Sequence, residues 1–212
     1  SVTAWCWDEA RARAERWTAR AVVLAVPLFV AARLLTAPPP GLIEAATLQR
    51  HAPWLVANVA LKSPLLDRGP GAPPAWDNVR FDSPSLGYVD AAHQSLRAAP
   101  DRALITAYWA LPAGERGSLL AESSADMWSR RVVDDLAVAH PDLPAKVARI
   151  DLMRYGHAMS IPRPGVRSHP ALAALARLNG PLVFAHADLA GYSVFEEAFT
   201  HGTRAGASLR LL

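Results

Sequence analysis

The side chains best suited to act on a ligand stand close together late in the sequence, in His186-Ala187-Asp188-Leu189-Ala190-Gly191-Tyr192-Ser193-Val194. A carboxylate, a glycine, a phenol and a hydroxyl follow one another within a short loop. Before the loop comes Pro181–Ala185, an apolar run of the kind that makes a buried strand. After it, Ser193-x-x-Glu196 matches a capping box, in which the serine oxygen accepts from the third amide and the glutamate answers back. That pattern predicts a helix opening at Ser193. Val194, Phe195, Ala198, Phe199 and Ala205 give the helix an apolar face, with Gly202 and Gly206 allowing close backbone contact. A strand that turns through a glycine-bearing loop into a helix aims unpaired N–H groups beyond the helix start. Such a terminus favours an anion or an electron-rich carbonyl. The plainer alternative is an ordinary strand–loop–helix packing unit, with Tyr192 as a core aromatic.

Two other stretches carry chemistry-bearing side chains, Leu86–Gln94 with His93 and Gln94, and Arg154–Met159 with Tyr155 and His157. Their histidines either project into a cleft or are satisfied by a nearby carbonyl. His157, His169, His186 and His201 match no metal-ligand spacing, and no metal site is expected. The single cysteine, Cys6, excludes an internal disulfide and leaves the redox compartment open.

The elements that position these residues can be read from periodicity. Val2 to Trp7 alternates as a strand, and Ala21–Pro27 reads as a second strand after a polar connection, giving a hairpin. In that connection Arg11, Arg13, Arg16 and Arg20 read as a solvated loop. Leu28–Leu35 reads as a helix, Thr36–Gly41 as a linker, Leu42–His51 as a short helix and Trp54–Leu61 as a strand. Asp67–Pro74 is expected to be a loop. Asn78–Phe81 and Gly87–Asp90 are weak strands, and Leu104–Leu111 is a strong one. A helix spans Ser124–His140, with Met127, Trp128, Val132, Leu136 and Val138 as apolar positions and Asp126 near its start. Val147–Met159 is a strand closed by Pro162-Arg163-Pro164-Gly165. Strands feeding one mixed or antiparallel sheet, with helices grouped between them, make the expected class α+β.

The loop and helix of residues 181–209 resemble the carboxy-terminal motif of the flavin-containing amine oxidase superfamily, which has a Phe-Ala-Gly-x-Glu-like loop followed by Ser-Gly-Tyr-x-x-Glu-x-Ala. Ala21–Pro27 with its following helix is similar to the family's V-I-x-A-x-P passage, where the chain leaves the cofactor domain for the substrate domain. The resemblance implies FAD, with Asp188 as the loop acid beside the ribose and phosphate and Tyr192 as the aromatic beside the flavin. It also implies that the amides of Ser193 and Val194 face the ring's C2 carbonyl, with Gly191 and His186 along the cofactor path. His186 stands where the family has glycine. The implied chemistry is hydride transfer from a small substrate, such as an amine, to flavin N5, with Tyr192, Tyr155 and His157 as the candidate catalytic residues. The family's lysine near N5 has no match: the corresponding strand carries Val56, Ala57 and Asn58, with Lys62 beyond its end.

No Gly-x-Gly-x-x-Gly occurs in the sequence, so the expectation is a carboxy-terminal portion of a longer flavoprotein whose dinucleotide-binding domain lies elsewhere. Residues 1–35 would belong to the FAD-domain side, 36–165 to a substrate-domain-like α+β region, and 166–212 to a return strand and cofactor-facing helix. On this reading the partners are the missing N-terminal FAD-binding domain and a small-molecule substrate, and the isolated portion is inactive. The other reading is a non-catalytic module that keeps the fold and binds a small molecule or a protein.

Composition sets the outer bounds. The 212 residues, 51% of them hydrophobic, suffice for one large domain or two small ones. The sequence pI is 9.4. Its cations are nearly all arginine in an alanine- and proline-rich sequence, a compositional bias that does not mark a nucleic-acid surface. The longest apolar run, Ala21–Ala32, contains Pro27 and is shorter than the ~20 residues a membrane span needs. A soluble protein is expected, cytoplasmic or exported by a signal on a preceding portion.

Overall fold

The computed structural model describes residues 1–66, 75–94, 102–121 and 124–209, except the side chains of Ala92 and His93. The chain opens with two antiparallel strands, β1 (Val2–Asp8) and β2 (Arg13–Ala19), registered from Val2 opposite Ala19 to Asp8 opposite Arg13. The second arm of the hairpin is therefore Arg13–Ala19, not Ala21–Pro27 as the sequence suggested. Most positions on both faces of the ribbon are exposed, with Trp5, Trp7 and Trp17 among them. An arm wetted on both sides has no reason to alternate, and ion pairs from Arg11 to Asp8 and from Arg13 to Glu15 gave it the look of a polar loop.

The run read as the second arm instead makes β3 (Val22–Leu24), which pairs in parallel with a strand from the far end of the sequence. Pro27 ends it and starts α1 (Leu28–Leu34), where proline is tolerated because its missing N–H would be an orphan anyway. Gly41, at φ 84, begins α2 (Leu42–Leu48).

The chain divides into two compact units, residues 1–50 with 159–212, and residues 51–158. The boundaries expected from sequence were 35/36 and 165/166. The contacts place α2 with the first unit, because Leu42 and Ala45 share a core with Leu28 and Ala31 of α1.

In the second unit β4 (His51–Leu61) alternates strictly between buried and half-buried positions, the signature of a strand with one face on a core. β5 (Asp77–Asn78), β6 (Gly87–Asp90), β7 (Ala103–Ala110) and β8 (Val147–Ser160) complete a sheet in the order β5-β6-β7-β4-β8. β5 with β6, β6 with β7 and β7 with β4 pair antiparallel. Its core face carries Leu55, Ala57, Val59, Ile105, Ala107 and Trp109. Against it pack α3 (Arg116–Leu120) through Leu119, α4 (Ala125–Ala139) through Trp128, Val132 and Leu136, and α5 (Leu143–Lys146) through Leu143. Of the five apolar positions expected to face inward on α4, Met127 and Val138 are exposed, at 49% and 64%. The buried trio recurs every four residues, and Met127 and Val138 lie off that stripe. On the other face of the sheet Trp54 stacks on Tyr108, and Thr106 donates to Asn58 Oδ1 at 2.8 Å. Asp67–Pro74, expected to be a loop, lies outside the described residues.

Asp142, just before α5, accepts from Lys146 Nζ at 2.8 Å and from Leu66 N at 3.0 Å. The Lys146 bond, followed by the Leu66 amide and against the opposing effect of desolvation, holds its carboxyl at about 2. That value lies below an unfolded carboxylate at ~3.9, so the contribution is complete above about pH 4 and is lost as pH falls to about 2. Allowing for solvent screening, it amounts to about 1 kcal/mol. Acid titration of urea midpoints should show a step between pH 4 and 2 that Asp142→Asn removes. A step of unchanged size in the variant would assign it to other carboxylates.

The chain returns to the first unit through α6 (Pro170–Ala176), then β9 (Leu182–Phe184), a one-turn 3-10 segment (Ala187–Ala190) and α7 (Phe195–Leu209). β9 is the parallel partner of β3, with Val22 opposite Leu182 and Leu24 opposite Phe184. The resulting α+β fold combines an antiparallel sheet, flanking helices and a small parallel pair. Among the described residues no helix is long and apolar enough to cross a membrane.

Candidate functional site

Gly191, at φ 78, is a conformation that favours glycine, and a Cβ there would meet Val166 Cγ1 at 3.2 Å and Arg167 N at 3.3 Å. The turn that the sequence placed at Gly191 therefore needs this residue for both dihedral and space. Its amide donates to Asp188 O at 3.0 Å, closing the 3-10 turn.

Asp188 is fully buried. Its Oδ2 accepts from Leu28 N at 2.9 Å, satisfying a backbone donor at the start of α1. Its backbone carbonyl accepts from Gln49 Nε2, and Gln49 Oε1 in turn accepts from Ser160 Oγ. His186 Nδ1 accepts from Asp188 N at 3.1 Å. This buried relay of Ser160, Gln49, Asp188 and Leu28 ties β8, α2, the 187–190 turn and α1 together where β3 and β9 end. Sequence reasoning missed Gln49 and Ser160, because neither stands in a motif and each is polar in an otherwise unmarked stretch.

Tyr192 is half-buried, and its hydroxyl donates to Glu197 Oε1 at 2.8 Å. The Arg167 guanidinium lies over the ring at 5.0 Å, donates to the phenolic oxygen at 2.9 Å and reaches Glu197 Oε1 at 3.1 Å. Phenol, carboxylate and guanidinium form one network, in which Arg167 and Glu197 were not foreseen. The i, i+5 step from Tyr192 to Glu197 crosses a helix start, which no single periodicity describes. One turn further on, His201 is buried, with Nδ1 accepting from Arg204 at 2.9 Å. Burial, followed by the Arg204 charge, holds this imidazole below its ordinary value.

The expected capping box is not formed. α7 starts at Phe195, and the Ser193 hydroxyl accepts from Ser160 N at 2.8 Å instead. A backbone amide of β8 competes for the oxygen that would have capped the helix. Ser193→Ala should therefore cost about 0.5–1.5 kcal/mol by stranding the Ser160 amide, with no loss of helix content. Urea unfolding gives the first quantity and far-UV circular dichroism the second; a drop in helicity would restore the capping role. The expected apolar face of α7 is also turned: His201 and Ala205 are buried, whereas Phe195 and Phe199 are exposed and stack on each other with ring centroids 5.9 Å apart. A Cβ on Gly202 or Gly206 would meet no heavy atom within 4 Å, so these glycines mark no close approach.

Tyr155 and His157 belong to β8 in the second unit and are both exposed. Between them, the Gly156 carbonyl accepts from Arg116 Nε at 2.6 Å, and Arg116 also donates to His51 O at 2.7 Å. The His157 ring meets His51 edge-on at 6.4 Å. His93 lies outside the described side chains, and Gln94 is exposed. Asn58 faces away from the core of its sheet, and Lys62 is exposed beyond the end of β4. Among the described residues no group of three or more histidine, cysteine or carboxylate side chains could hold a metal ion. Within the first unit the structure thus gathers His186, Asp188, Gly191, Tyr192, Ser193 and Val194 on one connection between β9 and α7.

No family model matches the chain, and no curated protein matches it. Solved structures do. Cyclohexylamine oxidase from Brevibacterium oxydans IH-35A superposes with a TM-score of 0.65 at 16% identity, over 92% of this chain and 43% of that one. A double mutant of putrescine oxidase, from a redesign of its cofactor binding, gives a TM-score of 0.63 at 17% identity, over 93% and 44%. A protein assigned as a protoporphyrinogen oxidase from Exiguobacterium sp. 255-15 gives 0.55 at 16%, over 93% and 42%. The chain therefore has the fold of part of these oxidases and spans less than half the length of each.

Proposed function

We propose that this chain is the carboxy-terminal part of an FAD-dependent oxidoreductase similar to the flavin amine oxidases, and that the whole protein oxidises a small substrate, such as an amine. The observation that carries this reading is the parallel pair β3–β9, whose carboxyl ends meet at the buried Asp188 relay. In open parallel sheets, ligands bind outside the carboxyl ends of the strands. Parallel strands occur almost only in larger sheets covered on both faces, so three-residue strands in a pair call for further strands from a dinucleotide-binding portion.

The residues at this end suit a flavin ring better than a pyrophosphate. The first turn of α7 carries Glu196 and Glu197, whose charges oppose an anion. Its N–H groups remain suited to a neutral carbonyl such as the flavin C2 oxygen, with Val194 immediately before the helix and Ser193 before that. Asp188 fits as a scaffold, since its carboxylate already serves Leu28 N. The Arg167–Glu197 network fixes the Tyr192 ring, which would form a wall on the substrate side. Bound FAD would supply the hydride acceptor at N5, and the protein orients the substrate and excludes water. The amine named in each of the first two oxidases supports an amine substrate here. Asn58 in place of a lysine points to a different polar setting for it.

The test joins this chain to the dinucleotide-binding portion encoded upstream. The 212 residues alone should be colourless, because one helix terminus offers ~0.3–2 kcal/mol against the ~8 kcal/mol of micromolar retention. The joined protein should hold flavin and lose its absorption band when an amine is added without oxygen. A joined protein that binds no flavin overturns the proposal.

A further inference from the structure

The first unit has a second polar pocket, lined by residues from the end of α6, from β9 and from the last turns of α7. It is a cavity of about 220 Å³ lined by Arg177, Asn179, Arg204 and Ser208 together with apolar residues that include Val183 and Phe184. No carboxylate lines it. Among the described residues neither guanidinium has a carboxylate partner. Arg204 spends one N–H on the neutral Nδ1 of His201 at 2.9 Å, and partial burial lowers its pKa. The Arg177 side chain makes no hydrogen bond with the described residues. Ser208 donates to Ala205 O at 2.8 Å and so serves as rim rather than donor.

Arg177 and Arg204 are both exposed, line one cavity and have no carboxylate partner among the described residues, an arrangement that suits an anion. A planar guanidinium presents paired N–H groups that match phosphate oxygens two at a time, and the Asn179 amide can add a further donor. We propose that this pocket binds the phosphate group of a small molecule, held by Arg177 and Arg204. The apolar lining accepts a short organic body if the ligand is a monoester; free phosphate would use the polar residues alone. The competing account is that both arginines are solvated surface cations, with Arg177 complementing the carboxyl end of α6. On that account added phosphate has nothing to gain.

Isothermal titration of this chain, at fixed ionic strength, with inorganic phosphate and with phenyl phosphate separates the two. One saturable site is expected, and Arg177→Gln and Arg204→Gln should each weaken it about tenfold or more, the scale of a charged hydrogen bond. Arg204→Lys should keep part of the affinity, having the charge without the fork. Arg163→Gln, elsewhere on the same unit, should leave binding unchanged. Tighter binding of phenyl phosphate assigns the site to a monoester, and tighter or equal binding of inorganic phosphate assigns it to the free ion. If Arg204→Gln does not fold, Arg177→Gln carries the test. No saturable binding, or binding indifferent to both arginines, overturns the proposal. The titration needs no flavin, so its outcome is independent of the redox reading.

Discussion

Asp188→Ala should destabilise the chain by about 3 kcal/mol, because it removes a charge-assisted hydrogen bond and strands a buried amide. The carboxylate is fully buried and accepts from Leu28 N at 2.9 Å. Alanine leaves that N–H facing the space the carboxylate occupied. Asp188→Asn keeps an oxygen acceptor at the same distance but loses the charge, so it should cost about half as much. Urea unfolding monitored by tryptophan fluorescence gives both values. If both variants lose less than about 1 kcal/mol, the relay through Gln49 and Ser160 holds the turn by itself and the Asp188 carboxylate is not its scaffold. The measurement thus tests the scaffold role of this acid, whose place in the motif implied a contact beside the ribose.

The loop from His186 to Val194 was legible as a unit because its residue types are unusual together, but the partners of its side chains were not. Gly191 could be placed at a turn since no other residue fits φ 78 so readily. Ser193 looked like a helix cap because the spacing to Glu196 is right, yet the Ser160 amide takes the oxygen. That amide is thirty-three positions away in sequence, and local patterns carry no information about it. The same limit hid Arg167 beside Tyr192 and Gln49 beside Asp188. β4 was readable from Trp54 to Leu61, since one face on a core forces strict alternation, but its first residue, His51, had been given to the preceding helix. β2 was not, because a ribbon with both faces in solvent has no preferred side for apolar residues. Phe195 and Phe199 misled for a related reason: helical spacing marks an apolar face without saying what covers it.

Trp128→Ala is expected to have the largest effect in the second unit, a loss of about 3–5 kcal/mol. The indole is 1% exposed and sits among Val132, Leu136 and the inward face of the sheet. A side chain of this kind buries ~150–250 Å², and at ~25 cal/mol per Å² the transfer term alone accounts for most of the loss. One feature acts in the opposite direction. Among the described residues the buried Nε1 has no hydrogen-bond partner. Leaving such a donor unpaired costs about 1–3 kcal/mol, a penalty that Phe at this position would not carry. Trp128→Phe also keeps a ring beneath the Arg131 guanidinium, which lies 4.9 Å from the indole centroid. Relief of the orphan donor should offset much of the lost volume, leaving a cost within about 1.5 kcal/mol. Urea denaturation of both variants decides between the terms. A phenylalanine variant as damaged as the alanine one would mean that the indole N–H does have a partner, a buried water being the simplest, and that packing alone does not set the worth of this residue.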